Sequence, residues 1–398
     1  MKNYDLITPE GTQDFLFDEC IIRRNVENTI HNIFKKSGYS ELITPGLEFL
    51  DVFSLNSRHF PQESLYKLVD SKGRLLVLRP DSTMPMARVV ATRLKDAPLP
   101  LRLYYNQCVY NISPLLTGRS DQIVQTGIEL IGSSSKTADL EVITTAVEVL
   151  SSCKCGKFSL EIGDIGFFRE LVNKLDVSED TKEDIRSLIE TKNYPALNDL
   201  LDTIGKNDVT HALKRLPRLF GKQEVFERAS KLFRDEKIDA ILENLKSIYN
   251  DVSQLCVDGD ITVDLGMVNR TDYYTGVIIK GYLEGYGEEV LSGGRYDKLI
   301  AEFGYDVPAT GFAVNVNAVS SVVAKKNKIS VKPSDVIVFA QKGYEMKAVL
   351  TAQDYRKQGF VTENALSDNL DEVKKYAAKK SIGKIIIVGE SITEEENK

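Results

Sequence analysis

The sequence contains no tryptophan, three histidines and five cysteines in 398 residues. The histidines (His31, His59, His211) are scattered over a helical stretch, a loop and a charged helical region, so they read as structural positions. The cysteines (Cys20, Cys108, Cys153, Cys155, Cys256) are odd in number and irregularly spaced. Cys153 and Cys155 form the one close pair, and no second pair or histidine joins them to complete a zinc set. Free, reduced thiols in a cytoplasm are the expectation. Positive charge is also short: 51 Lys and Arg against 58 Asp and Glu leave a net charge of −7. That balance argues against nucleic acid, tRNA included, as a partner of the whole chain. The N-terminal MKNYDLITPEGTQD has no apolar signal core, and no apolar run reaches membrane-spanning length. Nucleophile triads, phosphate-binding glycine loops and metal clusters are missing as well. The chain reads as a soluble cytoplasmic protein with no cofactor and no membrane contact.

What the sequence does hold is concentrated between Asp264 and Val316. This stretch predicts buried antiparallel strands followed by a helix. Tyr273 and Tyr274 stand at one strand end, beside Thr275 and Gly276. Gly293 and Gly294 permit a close backbone approach, Arg295 supplies a planar cation and Asp297 can orient it. Pro308 and Gly311 shape the turn into an apolar strand, Phe312 to Val316. Aromatic walls, glycines and one arginine suit a small-molecule pocket. Arg295 is equally well read as a ligand of that pocket or as a pin for Asp297 and a backbone carbonyl.

Further upstream, Ile22, Val26, Ile30, Ile33 and Phe34 recur at helical spacing until Gly38. GYSELITPGLEF then predicts a strand broken by Pro45, an edge or a subunit contact. Arg74 to Arg79 predicts a strand, and Asp81 and Thr83 share a side if the chain stays extended there. A helix through Met86, Val90 and Leu94 follows, then strands at 102–110 and 122–131. In the second strand Gln125 and Glu129 share the face opposite the aliphatic residues, and Gly127 between them leaves room for a ligand. A helix through Leu140, Ile143, Val147 and Leu150 comes next.

The organisation expected is 1–163 and 253–324 as two parts of one sheet domain, interrupted by a charged helical insertion at 164–252. A polar linker (KKNKISVKP) leads to a small α/β domain at 332–398 with parallel strands. Its acidic tail, EEENK, reads as disordered.

QTGIELIG, DYYTG and GGRYD, in that order along the chain, resemble histidyl-tRNA synthetase, a class II synthetase, over essentially the whole chain. The resemblance implies an α+β fold: an antiparallel sheet flanked by helices, with a helical insertion and a small C-terminal α/β domain like a truncated anticodon-binding domain. It implies a homodimer through the N-terminal helix and the Pro45 strand. Carried over by position, a histidine pocket would use Asp81, Thr83, Gln125, Glu129, Tyr273 and Tyr274, with Arg295 nearby. Asp81 stands where that family usually has Glu, one methylene shorter.

The departures fall on the side that handles ATP. Counting back from Gly118-Arg119, the family's arginine and glutamate positions carry Asn111 and Ser113. Asn269 takes the place of the catalytic arginine, and Arg270, one residue along, points to the opposite face of a strand. Ala318 occupies the last arginine position. Each lost phosphate cation costs ~3–4 kcal/mol of transition-state stabilisation, which leaves negligible adenylation. A chain that keeps the amino-acid side and loses the ATP side resembles the regulatory subunit of ATP phosphoribosyltransferase. That family is not itself the catalyst. It partners a short catalytic subunit in the first step of histidine biosynthesis and takes part in feedback inhibition, with L-histidine as a candidate ligand. The alternative is histidyl-tRNA synthetase itself or another histidine-binding synthetase paralogue.

Overall fold

A computed structural model describes residues 4–54, 60–113, 120–255, 259–268, 273–327 and 329–397. The chain divides into two compact units, Met1–Ile329 and Ser330–Lys398.

The first unit opens with α1 (Asp18–Lys36). Its buried stripe of Ile22, Val26, Ile30, Ile33 and Phe34 is the periodic one of the sequence, and Gly38, at positive φ, follows its end. Acidic residues in its first turn and lysines in its last complement the helix dipole. The stretch expected as one broken strand becomes two, β1 (Ser40–Glu41) and β2 (Leu47–Phe49), and they join different sheets. Proline has no N–H to continue a ladder, so the chain leaves one sheet at Pro45 and enters another. Arg79 secures that crossing by donating to the carbonyls of Thr44 (2.9 Å) and Pro45 (3.1 Å). With β3 (Lys67–Val69) and β4 (Leu75–Leu78), β2 forms a three-stranded sheet in the order β2-β4-β3.

After α2 (Thr83–Arg93) come β5 (Leu101–Tyr110), β6 (Gln122–Ile131), α3 (Lys136–Ser152) and β7 (Phe158–Asp164). Helices then dominate: α4 (Ile165–Val172), α5 (Glu179–Glu190), α6 (Tyr194–Ile204), α7 (Asp208–Arg215), the short β8 (Phe220–Gly221), α8 (Glu224–Leu232) and α9 (Glu236–Val252). The sheet resumes with β9 (Gly259–Asp264), β10 (Val277–Leu283), β11 (Glu289–Arg295) and β12 (Ala309–Asn315), followed by α10 (Val316–Lys326). The nine-stranded order is β1-β5-β6-β12-β11-β10-β7-β9-β8. It is antiparallel from β5 through β7, with parallel pairs at β1/β5 and β7/β9. α1 and α3 pack together beside the sheet, and α1 also packs on α10.

The second unit runs β13 (Val336–Ala340), α11 (Glu345–Lys357), β14 (Thr362–Asn364), α12 (Leu370–Lys380), β15 (Lys384–Val388) and β16 (Ile392–Glu396). The strands β14, β13 and β15 are parallel, and each face of the sheet carries one helix over its own apolar cluster. The acidic tail is a correction to the sequence reading. It forms β16, antiparallel to β15 through Glu396. Lys384 meets Glu394 at 2.5 Å and Lys374 meets Glu395 at 2.6 Å, which relieves the repulsion that makes such a run read as solvated.

Candidate functional site

Period-two alternation on β6 turns Gln125 and Glu129 the same way, into a cavity of about 180 Å³. That equals roughly six water volumes, the scale of one small amino acid and below the drug-sized range. Asp81, Thr83, Gln125, Glu129, Tyr273 and Tyr274 all line it. Register explains why Glu129 fits. It faces Gly311 across the β6/β12 ladder, and a Cβ there would lie 2.1 Å from its Oε2. The rings of Tyr273 and Tyr274 lie 4.8 Å apart between centroids, tilted by 57°, and Tyr296 meets Tyr273 edge-on at 5.8 Å.

Two sequence readings need correction here. The chain does not stay extended from Asp81 to Thr83, because Ser82 already has helical backbone angles. Asp81 accepts from the Met84 N–H at 2.9 Å and so caps the start of α2, where Thr83 is the first residue. The room beside Gly127 goes to Tyr105, whose Oη would lie 2.6 Å from a Cβ at that position, and not to the cavity.

Arg295 is brought to the neighbourhood but not into the cavity lining. It is 7% exposed, and its Nε donates to Asp139 at 3.0 Å while Nη1 donates to the Ser133 carbonyl and to Asp297, each at 3.0 Å. The pin reading is the one this geometry favours. Arg295→Met is expected to destabilise the fold by about 3–5 kcal/mol, because Asp139 would be left buried without its counter-charge. Asp139→Asn in the same chain should recover part of that loss in a denaturant titration.

Several lining residues escaped the sequence reading: Phe60, Glu289, Ser292 and Tyr296. Tyr296 follows the last residue of β11 directly. The Tyr296 hydroxyl donates to Glu129 Oε2.

Electrostatically the cavity is one-sided. Asp81, Glu129 and Glu289 line it, and no lysine or arginine does among the described residues. Lys280 pairs with Glu289 at 3.0 Å, which leaves Glu129 and Asp81 to set the field. Burial raises the Glu129 carboxyl from its ordinary 4.5 to about 8, with the Tyr296 and Thr83 hydroxyls working against the shift. Burial likewise raises Asp81 to about 6, partly offset by backbone N–H donors from Met84, Thr83 and Ser82. Such a site favours a ligand that brings positive charge.

A second, larger cleft of about 790 Å³ adjoins the first at Glu289. Ser113, Tyr286, Glu288, Asn315, Asn317 and Ala318 are among its lining, and again no described lysine or arginine is. Asn111 donates from Nδ2 to the Pro80 carbonyl at 2.7 Å and so holds the loop that carries Asp81. Asn269, Arg270, Asp272, His59, Cys256 and the turn 114–119 lie outside the described residues.

The model of the histidyl-tRNA synthetase family matches residues 11–319. An ATP phosphoribosyltransferase regulatory subunit of Clostridium kluyveri is 41% identical over 386 residues, covering 96% of this chain and 99% of its own. One of Clostridium botulinum (strain Langeland) is 39% identical over 391 residues, covering 97% of this chain and 92% of its own. Among solved structures, an ATP phosphoribosyltransferase regulatory subunit/histidyl-tRNA synthetase from Bacillus halodurans superposes with a TM-score of 0.85 at 27% identity, covering 98% of this chain and all of that one. A class II synthetase-like sheet, a small carboxylate-lined cavity and relatives matched from end to end converge on one assignment: the chain belongs to the family of ATP phosphoribosyltransferase regulatory subunits, built on the histidyl-tRNA synthetase fold.

Proposed function

We propose that this chain is the non-catalytic partner of a short ATP phosphoribosyltransferase subunit, and that the cavity around Glu129 is its sensor for L-histidine. The observation that carries the reading is the pairing of two neighbouring spaces. The small one offers carboxylates and tyrosines to a cationic amino acid, and the large one offers no described cation to a polyphosphate. Adenylate chemistry needs fixed cations around developing phosphate charge. Asn111 and Ala318, with Asn269, stand in our reading where a synthetase keeps arginines. The partner would join ATP to phosphoribosyl pyrophosphate in the first step of histidine biosynthesis. Histidine, the end product, would favour the less active arrangement of the complex through differential contacts with its two states.

The remaining parts of the reading concern assembly. Leu47, Phe49, Val69 and Leu75 leave apolar side chains exposed on the three-stranded sheet, and Ile43 beside it is 75% exposed. That surface supports a homodimer through the Pro45 segment within a mixed oligomer, whereas α1 spends its apolar stripe inside its own unit. The helices α4–α9 read as an insertion between β7 and β9. Ser330–Lys398 carries as many acidic as basic side chains, which speaks against tRNA as its partner. No helix among the described residues is long and apolar enough to cross a membrane.

The test is reconstitution. Adding this chain to the short catalytic subunit should raise its phosphoribosyl-transfer rate at least tenfold, and L-histidine should lower it again. A catalytic subunit equally active alone would overturn the proposal.

A further inference from the structure

The tyrosine wall of the cavity is held from outside, and by a helix. Arg169 on α4 donates from Nη2 to the backbone carbonyl of Tyr274 at 2.8 Å. Two residues further on, the Gly276 carbonyl accepts from the N–H of Ile165, the first residue of α4, at 3.1 Å. From the opposite side, Thr275 N–H donates to the Arg295 carbonyl at 2.7 Å, and the Thr275 hydroxyl accepts from Asp297 N–H at 3.0 Å. The strip Tyr274–Gly276 therefore hangs between α4 and the end of β11. Regular pairing begins at Val277, which lies opposite Asp164 in the β10/β7 ladder.

α4 is a short helix with two obligations. Asp164 fixes its start by accepting from Gly166 N–H at 2.8 Å. Its apolar side chains, Phe167, Phe168 and Leu171 among them, are buried, and it packs on α7 and α9. The element that grips the tyrosine wall is thus the same one that anchors the helical segment. A movement of those helices would be delivered to Tyr273 and Tyr274 through one charge-assisted hydrogen bond and one backbone bond.

We propose that Arg169 is a positioning residue: it sets the Tyr273–Tyr274 wall from the helical segment and couples α4–α9 to whatever occupies the cavity. The coupling rests on the reading of that cavity as a ligand site, but the positioning does not. Arg169 is only half-buried, so its variants should fold.

Hydrogen exchange on the full chain separates the two claims. Without ligand, Arg169→Ala should speed exchange across 273–277 about tenfold while β5 and β6 stay protected, and Arg169→Lys should restore much of the protection. Equal exchange in wild type and Arg169→Ala would overturn the positioning role. With saturating L-histidine, the wild type should gain protection in Ile165–Val172, and Arg169→Ala should lose that gain and bind about tenfold more weakly. Histidine that protects the wall but leaves α4 unchanged in the wild type would overturn the coupling. Failure of the wild type to bind histidine would overturn the coupling together with the ligand reading, and the ligand-free exchange would still decide what Arg169 does.

Discussion

Glu129→Ala should weaken L-histidine binding more than a hundredfold. Glu129 is 2% exposed, and the cavity it lines has no described lysine or arginine to compensate it. An ammonium or imidazolium entering this space leaves water and needs its counter-charge there. Breaking such a buried pair costs about 3–5 kcal/mol, well over two powers of ten in affinity. Glu129→Gln keeps the shape and the contact with Tyr296 but removes the charge, so it should lose nearly as much. Calorimetric titration of both variants at pH 8 makes the comparison. Binding of Glu129→Ala at the wild-type level would sink the assignment of this cavity.

The same carboxylate fixes the pH dependence. Burial keeps Glu129 protonated up to about 8 and Asp81 up to about 6 in the empty cavity. A cation favours the ionised forms, so its binding below pH 8 must expel a proton. Affinity should rise from pH 6 to 8, approaching tenfold per unit, and flatten above. The sign for the ligand-free fold is opposite. Both pKa values lie above their ordinary positions, so these groups favour the fold fully below about pH 4, and that contribution is lost as pH rises, by about 6 for Asp81 and by about 8 for Glu129. The melting temperature of the empty chain should fall across that window, and histidine should reduce the fall.

Much of this site could be read from periodicity alone. Gln125 and Glu129 are a strand's polar face, and a strand's face survives into the fold because its period is fixed at two. Tyr273 and Tyr274 were legible as a wall because two adjacent aromatics stand beside Thr275 and Gly276 at a strand end. What the sequence hid was partnership across elements. Pro45 announces a break but not that β1 and β2 go to different sheets, since that is decided by Arg79 thirty-four residues away. Arg295 invites a ligand role until Asp139, far off on α3, turns out to hold it. The acidic tail looks solvated until Lys374 and Lys384 arrive from α12 and β15.

ATP–pyrophosphate exchange with L-histidine should stay at background for this chain even when histidine binds. The cleft beside the Glu129 cavity would have to stabilise a polyphosphate with Ser113, Asn317, Ala318 and two glutamates, Glu288 and Glu289. Asn111 cannot substitute for a cation, because its amide is committed to the Pro80 carbonyl. Each missing phosphate cation removes ~3–4 kcal/mol of transition-state stabilisation, so our reading of Asn111 and Ala318 as standing at arginine positions predicts a loss of roughly 10⁴–10⁶ in rate. Restoring arginine at either position should not rescue the reaction. Ala318 lies in the first turn of α10, where its N–H donates to the capping side chain of Asn315 at 3.1 Å, and one arginine there would still face Glu288 and Glu289 in the cleft without a second cation. Nor would Asn111→Arg suffice, since it would release the loop that carries Asp81. Exchange above background in the unmodified chain would reverse the argument, making it a synthetase that activates histidine by other groups. Background exchange together with tight histidine binding would leave the amino-acid half of the old site working alone, as a sensor requires.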